Sequence, residues 1–363
     1  MNKLHTPLCD LLGTRLPIIQ APMAGGVSTP ALVAAASNAG ALGSFGFAYS
    51  QPETMQRDID AARKLTDAPI NLNLFLSPPP RTIPADDQRA AIAALAGYYA
   101  AMGLPPPPPV HAPYAPDTES QLNVIEAARP RVFTSHLGSI DAERLQRMRG
   151  AGIRIGASAT CIAEARHVEA LGVDFVIAQG AEAGGHRGSY LRDPYAAMTG
   201  TLALTRLIVR AVHIPVVAAG GIMDGAGIAA ALALGAQGVQ LGTAFIPCAE
   251  SGAPAIHKQS VLAAREDTTR VTEKFTGKPA RGLANRFMRE MGDGNAPQLV
   301  FPAQGVLSGP LRAAAGKAGN ADLLAMWAGQ AAPLSRALSA AALIAALEQE
   351  TLDTLARLSA LGR

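Results

Sequence analysis

The chain has little charge, few cysteines and no long apolar run, and each shortage removes a class of function. Charged residues make up 16% of its 363 positions. Lys plus Arg (31) and Asp plus Glu (28) leave a net charge of +3, with no basic run, whereas a nucleic-acid binder needs a concentrated positive face. The three cysteines, Cys9, Cys161 and Cys248, have no CxxC spacing. They argue for a reducing compartment and against a structural metal. No apolar run reaches the ~20 residues of a membrane span. Met1 to Asp10 lacks the apolar centre of a secretion signal. A cytoplasmic protein is expected, with no metal, no nucleic acid and no membrane among its partners. Also missing are GxSxG, a Cys–His nucleophile pair, and GxGxxG between a strand and a helix.

What is present is apolar and periodic. Apolar residues make up 49%, the profile of a sheet covered on both faces. Short apolar runs, that at 173–178 bounded by glycines, predict strands at 17–23, 41–47, 69–75, 131–137, 153–159, 173–178, 214–221 and 238–243. Helical segments alternate with them at 31–39, 52–65, 140–149, 162–171, 202–212 and 225–234. Eight strands alternating with helices predict an α/β fold, a parallel (β/α)8 TIM barrel. The beat breaks once, between Leu76 and Pro130. This proline-rich excursion holds Pro78-Pro-Pro80, the run from Pro105 to Pro109 and a helix near 86–102, and is expected to rim the barrel mouth. After the eighth strand the composition turns charged. Residues 247–310 are expected to form a small inserted substrate or lid domain, with 1–246 and 311–363 making the barrel. Helices are expected at 321–332 and 334–358.

The sixth strand opens into Gln179-Gly-Ala-Glu-Ala-Gly-Gly-His-Arg-Gly188. Gly184 and Gly185 permit positive φ and close approach to a ligand, leaving bare amides for something that accepts hydrogen bonds. His186 at the centre can work as acid or base near neutrality. A lone loop histidine is more often structural, so the other strand ends decide. Gly220-Gly221 and Gly242-Thr243 close the last two strands, a common phosphate position in barrels. A phosphate site beside one acid/base group points to a phosphorylated cofactor that does the redox work, and FMN suits. Asn73, Gln179 and Gln240 can both donate and accept toward its ring. Ala21, Pro22 and Met23 can flank it.

With these pieces assembled, the chain resembles the nitronate monooxygenase family, formerly 2-nitropropane dioxygenase, in its class I branch. The resemblance spans nearly the whole chain. It rests on Ile19-Gln-Ala-Pro-Met-Ala-Gly-Gly26, Asn71-Leu-Asn-Leu-Phe75, the stretch around His186, Val217-Ala-Ala-Gly-Gly-Ile222 and Gln240-Leu-Gly-Thr243. Phe275-Thr-Gly-Lys-Pro-Ala-Arg-Gly282 and Trp327-Ala-Gly-Gln330 complete it. It implies FMN held at Asn73, Gln179, Gly184, Gly221, Gln240, Leu241, Gly242 and Thr243, with His186 catalytic. His136, Trp327 and Gln330 would face substrate. One departure is Ser135, which stands where the family carries an aromatic beside the histidine, so the pocket wall and substrate size are left open.

The implied reaction is oxidation of an alkyl nitronate, such as propionate 3-nitronate, by dioxygen to a carbonyl compound and nitrite, a detoxifying monooxygenase activity. A neutral nitroalkane would first lose a carbon-bound proton to His186. Two rivals share parts of the pattern. A flavin-dependent enoyl-(acyl carrier protein) reductase has a similar Gly-Gly-His loop but needs NAD(P)H. A non-catalytic FMN-binding protein would have no use for His186.

Overall fold

The computed structural model describes residues 4–77, 82–293 and 296–361; the Pro78–Pro80 run lies outside them. Its main sheet contains β1 (Ile18–Gln20), β2 (Gly43–Gly46), β3 (Ile70–Phe75), β4 (Val132–His136), β5 (Arg154–Ala159) and β6 (Phe175–Gln179). After the two-residue β7 (Gly185–His186), which belongs elsewhere, β8 (Val216–Ala219) and β9 (Gly238–Leu241) complete it. All pairings are parallel, in the order β1-β9-β8-β6-β5-β4-β3-β2. A parallel bridge between Ile19 and Leu42 brings β1 to β2 and closes the ring. This is the expected TIM barrel.

The bottom of the barrel is sealed by α1 (Pro7–Leu12), whose Leu8 and Leu12 pack with Ile19, Leu42, Val132 and Phe175. Gly156 leaves room for the Phe175 ring, which a β-carbon there would meet at 2.3 Å. Across the interior runs a polar plug. Asn71 Nδ2 donates to Ser44 Oγ (3.1 Å) and Thr134 Oγ1 (2.9 Å), and Gln20 Oε1 accepts from the Ser44 amide (2.9 Å).

Around the strands lie α2 (Pro30–Asn38) and α3 (Pro52–Arg63) and, after α4 (Ala85–Ala101), the helices α5 (Thr118–Ala128), α6 (Ala142–Gly150), α7 (Ile162–Leu171), α8 (Thr201–Val209) and α9 (Gly225–Ala233). Thr29, Asp117, Asp141 and Asp224 cap α2, α5, α6 and α9 by accepting from the amide three residues on. Thus the excursion after β3 conceals a barrel helix. Leu122 and Ile125 of α5 join the core formed by Phe133, Leu145 and Ile155.

A second body sits beyond β9. It holds α10 (Ala255–Leu262), β10 (Thr269–Thr272), β11 (Ala280–Leu283), α11 (Arg286–Asp293) and α12 (Ala303–Ala318). Its core joins Tyr99 of α4 to Phe275, Phe287, Leu307 and Leu311, and the Tyr99 hydroxyl donates to the Leu307 carbonyl (2.6 Å). The helix expected on the rim therefore belongs to this cap, and α12 runs through residue 310. No helix forms at 321–332. A single 3-10 turn (Ala321–Leu323) gives way to extended chain, and Trp327 bridges to Gly282. Gly329 and Pro333 disfavour continued helix there. The last helix, α13 (Ala340–Ala360), is capped by Ser339 and packs between α9 and α2.

β7 joins the two bodies. Gly185 pairs with Arg281 and His186 with Ala280, so the histidine loop is the third strand of the cap sheet β10-β11-β7. Among the described residues no helix is long and apolar enough to cross a membrane.

Candidate active site

The carboxyl ends of the barrel strands and the underside of the cap enclose a cavity of about 300 Å³. Asn73 and Phe75 reach it from β3, His136 from β4, Ser158 from β5, Gln179 from β6 and Gln240 from β9. Ala21, Pro22 and Met23 line it after β1, as do Gly184 and His186, Gly221, Gly242 and Thr243. Trp327 covers it from the cap side. Nearly all the residues read from the sequence therefore converge. Two do not. Leu241 points into the core outside the barrel, 1% exposed, because its neighbour Gln240 takes the inward position on the strand. Gln330 is exposed, and its amide donates to the Glu182 carbonyl (2.9 Å). Ser135, the departure beside His136, is buried and does not line the cavity.

His186 is 7% exposed. Its ring lies among Phe75, Phe301 and Trp327, with centroids 5.5, 5.6 and 5.7 Å away. Burial pushes its pKa down to about 3, helped by His136, Lys278 and Arg312. Burial likewise pushes His136 and His257 to about 4. All three imidazoles are neutral near pH 7, the form able to accept a proton.

Several polar groups have fixed duties. Gln179 Nε2 donates to the His186 carbonyl (2.9 Å), and its Oε1 accepts from the Gly188 amide (2.7 Å). Its whole amide therefore anchors the loop. Asn73 Nδ2 donates to Thr134 Oγ1 and to the Thr134 carbonyl, both at 3.0 Å. Gln240 Oε1 is buried without a partner among the described residues. Gly184 is small for a protein reason, since a β-carbon there would sit 2.6 Å from the Ala328 carbonyl carbon. Gly220 (φ +113°) and Gly221 (φ +70°) take left-handed turns. The amides of Gly221, Ile222, Gly242 and Thr243 have no backbone or side-chain acceptor among the described residues.

Sequence reasoning missed Tyr49, Ser158, His257, Thr276 and Arg312, all on the cavity wall. Among the described residues Arg312 is the only charged side chain there. It forms no ion pair among the described residues and is held by Gly305 O (2.8 Å) and Ser308 Oγ (3.0 Å). Its signal was a single cation in the apolar run Gly309-Pro-Leu-Arg-Ala-Ala-Ala315. Among the described residues no cluster of His, Cys, Asp and Glu could hold a metal ion.

The nitronate monooxygenase family model matches residues 5–350. A nitronate monooxygenase of Paraburkholderia phytofirmans is 42% identical over 355 residues, 97% of this chain and 96% of the relative. One from Pseudomonas aeruginosa is 43% identical over 343 residues, 94% and 97% of the two chains. Among solved structures, a nitroalkane oxidase from Streptomyces ansochromogenes is 42% identical with a TM-score of 0.88, covering 97% of this chain and 99% of the other. FabK from Thermotoga maritima is 29% identical with a TM-score of 0.77, covering 98% and 99%. Matches over nearly the full length, to relatives above 40% identity, make the chain an oxidoreductase enzyme of the nitronate monooxygenase family.

Proposed function

We propose that this enzyme holds FMN and oxidises alkyl nitronates with dioxygen to a carbonyl compound and nitrite. The observation that carries this reading is a neutral, buried His186 facing a cavity whose far wall is lined by unpartnered glycine-turn amides. The cofactor reading is supported by residues that fit it. The free N–H groups of Gly221, Ile222, Gly242 and Thr243 suit a phosphate. The orphaned Gln240 Oε1 suits a ring N–H donor, and Met23 an apolar face. FMN, when bound, supplies the electron acceptance and the reaction with dioxygen. The protein's own part is to orient substrate, exclude water and move one proton.

Arg312 supports a finer reading of the substrate. A guanidinium with no ion-pair partner, in a cavity with no carboxylate among its described lining residues, favours an anion. A nitronate that also bears a carboxylate, such as propionate 3-nitronate, offers that second negative group to Arg312.

Purified protein is expected to be yellow, to release FMN and no metal, and to form nitrite from a nitronate under air. Release of FAD, or a colourless protein, rejects the cofactor. His186→Asn is expected to slow a neutral nitroalkane by ~100-fold or more while costing far less with the nitronate, which has already lost its proton. The competing reductase reading, from the Gly-Gly-His loop, has its own test. Rapid bleaching of the flavin by NADH without oxygen would select it.

A further inference from the structure

We propose that Thr276 is a positioning residue, holding His186 as the Nε2–H tautomer so that Nδ1 is the atom that takes the substrate proton. The inference rests on the reading that His186 faces substrate. It comes from a cap stretch, Phe275 to Gly282, that the reading so far leaves without a chemical role.

Thr276 Oγ1 lies 2.9 Å from His186 Nε2 and 3.3 Å from the Lys278 carbonyl. Both contacts are made at once only when the single hydroxyl proton goes to the Lys278 carbonyl, which can only accept, and Oγ1 turns a lone pair to an N–H of the imidazole. His186 Nε2 must then carry the ring proton. In the neutral ring this leaves Nδ1 with a free lone pair. Nδ1 has no protein partner among the described residues, yet it is not one of the enclosed polar atoms left without one. It therefore opens onto the cavity that His186 lines. Phe75, Phe301 and Trp327 hold the ring and resist a flip.

The titratable groups facing the ring are His136 from β4, Lys278 from the turn before β11 and Arg312 from α12. None is a carboxylate that could draw the proton to the other nitrogen. With a neutral nitroalkane, the proton on the carbon beside the nitro group passes to Nδ1. The C–H electron pair becomes the C=N bond of the nitronate, and an N=O pair moves onto oxygen. The resulting imidazolium keeps its Nε2–H on Thr276.

The test compares Thr276→Val, which keeps the shape, with Thr276→Ser, which keeps the hydroxyl. ¹⁵N-histidine NMR of the protein as purified reads the tautomer, with the His186 signals identified by their loss in His186→Asn. Wild type and Thr276→Ser are expected to show protonated Nε2 and bare Nδ1, and Thr276→Val a mixture. Nitroalkane turnover is expected to fall roughly 10-fold or more in Thr276→Val and to recover in Thr276→Ser, with nitronate turnover within about 3-fold throughout. A wild-type proton on Nδ1 overturns the proposal. So does an unchanged tautomer in Thr276→Val, or an equal fall with both substrates. The NMR result stands apart from activity, so an error in the assigned reaction is told apart from an error about Thr276.

Discussion

The Nε2 of His136 lies 3.2 Å from the main-chain carbonyl of His186, while its Nδ1 lies 2.6 Å from Ser158 Oγ. The carbonyl can only accept, so in the neutral ring Nε2 carries the proton and Nδ1 takes the Ser158 hydroxyl proton in preference to the more distant Ser135 carbonyl, 3.2 Å from Ser158 Oγ. Both nitrogens of this neutral ring are engaged by protein. His136 thus acts as a strut under the His186 loop, alongside Gln179, which donates to the same carbonyl. His136→Ala is expected to fold, with a loss of about 1–3 kcal/mol from the unpaired groups left behind. Turnover of nitroalkane and nitronate should drop together. Steady-state kinetics on both substrates, with flavin content measured, check this; a loss confined to the nitroalkane would make His136 the base.

At the proposed phosphate end, size and charge can be separated. A β-carbon on Gly242 would meet only Ala21 Cβ, at an ordinary 3.5 Å. Gly242→Ala is therefore expected to fold and keep its flavin. Gly242→Asp should fold but lose flavin, and with it the stabilisation that a bound cofactor gives the folded state, because it sets a negative charge where the amides await an anion. Absorbance ratios of the purified variants decide. Wild-type flavin in Gly242→Asp would place the phosphate at another strand end.

Arg312→Met removes the charge from the cavity and keeps much of the bulk. The KM for propionate 3-nitronate is expected to rise ~10-fold or more, on the scale of a charge-assisted hydrogen bond worth about 1.5–3 kcal/mol. An alkyl nitronate without a carboxylate should be nearly unaffected. Equal changes for the two substrates would remove Arg312 from substrate recognition.

The buried histidines also set a pH dependence of stability. His186 titrates at about 3, and His136 and His257 at about 4, against about 6.5 in an unfolded chain. Between these values the unfolded state binds protons that the native state refuses, so stability falls as pH falls below about 6.5. Each ring contributes up to about 2 kcal/mol of that loss by pH 5. The Tm is expected to drop between pH 7 and pH 5, and to drop less in His257→Gln. An equal slope in the variant would refute the assignment.

The barrel was legible because most strands are short runs of small and aliphatic residues, several of them closed by glycine, a local signal. α5 was not, because Leu122, Val124 and Ile125 stand among polar residues after a proline-rich stretch. Alanine and leucine suggested helix at 321–332, but Trp327 pairs with Gly282 instead, a contact that local propensity cannot foresee. The cofactor side of the cavity was readable from motifs at strand ends. The substrate side was largely not. Thr276, His257 and Arg312 reach the cavity only through docking of the cap, and neither the lone cation at Arg312 nor the Phe275–Gly282 motif shows by itself that they meet there.

The short strand β7 has a consequence for how the enzyme can be divided. His186 stands on a barrel loop, yet its backbone is paired with Ala280 and its ring is clasped by Thr276, both from the cap. A barrel stripped of its cap would keep the glycine turns and lose the geometry of its base. Exchanging caps between relatives to change substrate would carry the base's alignment along with the new wall. The seam where a graft must match is therefore Gly185–His186 against Ala280–Arg281, a two-residue register on which pocket and proton transfer depend together.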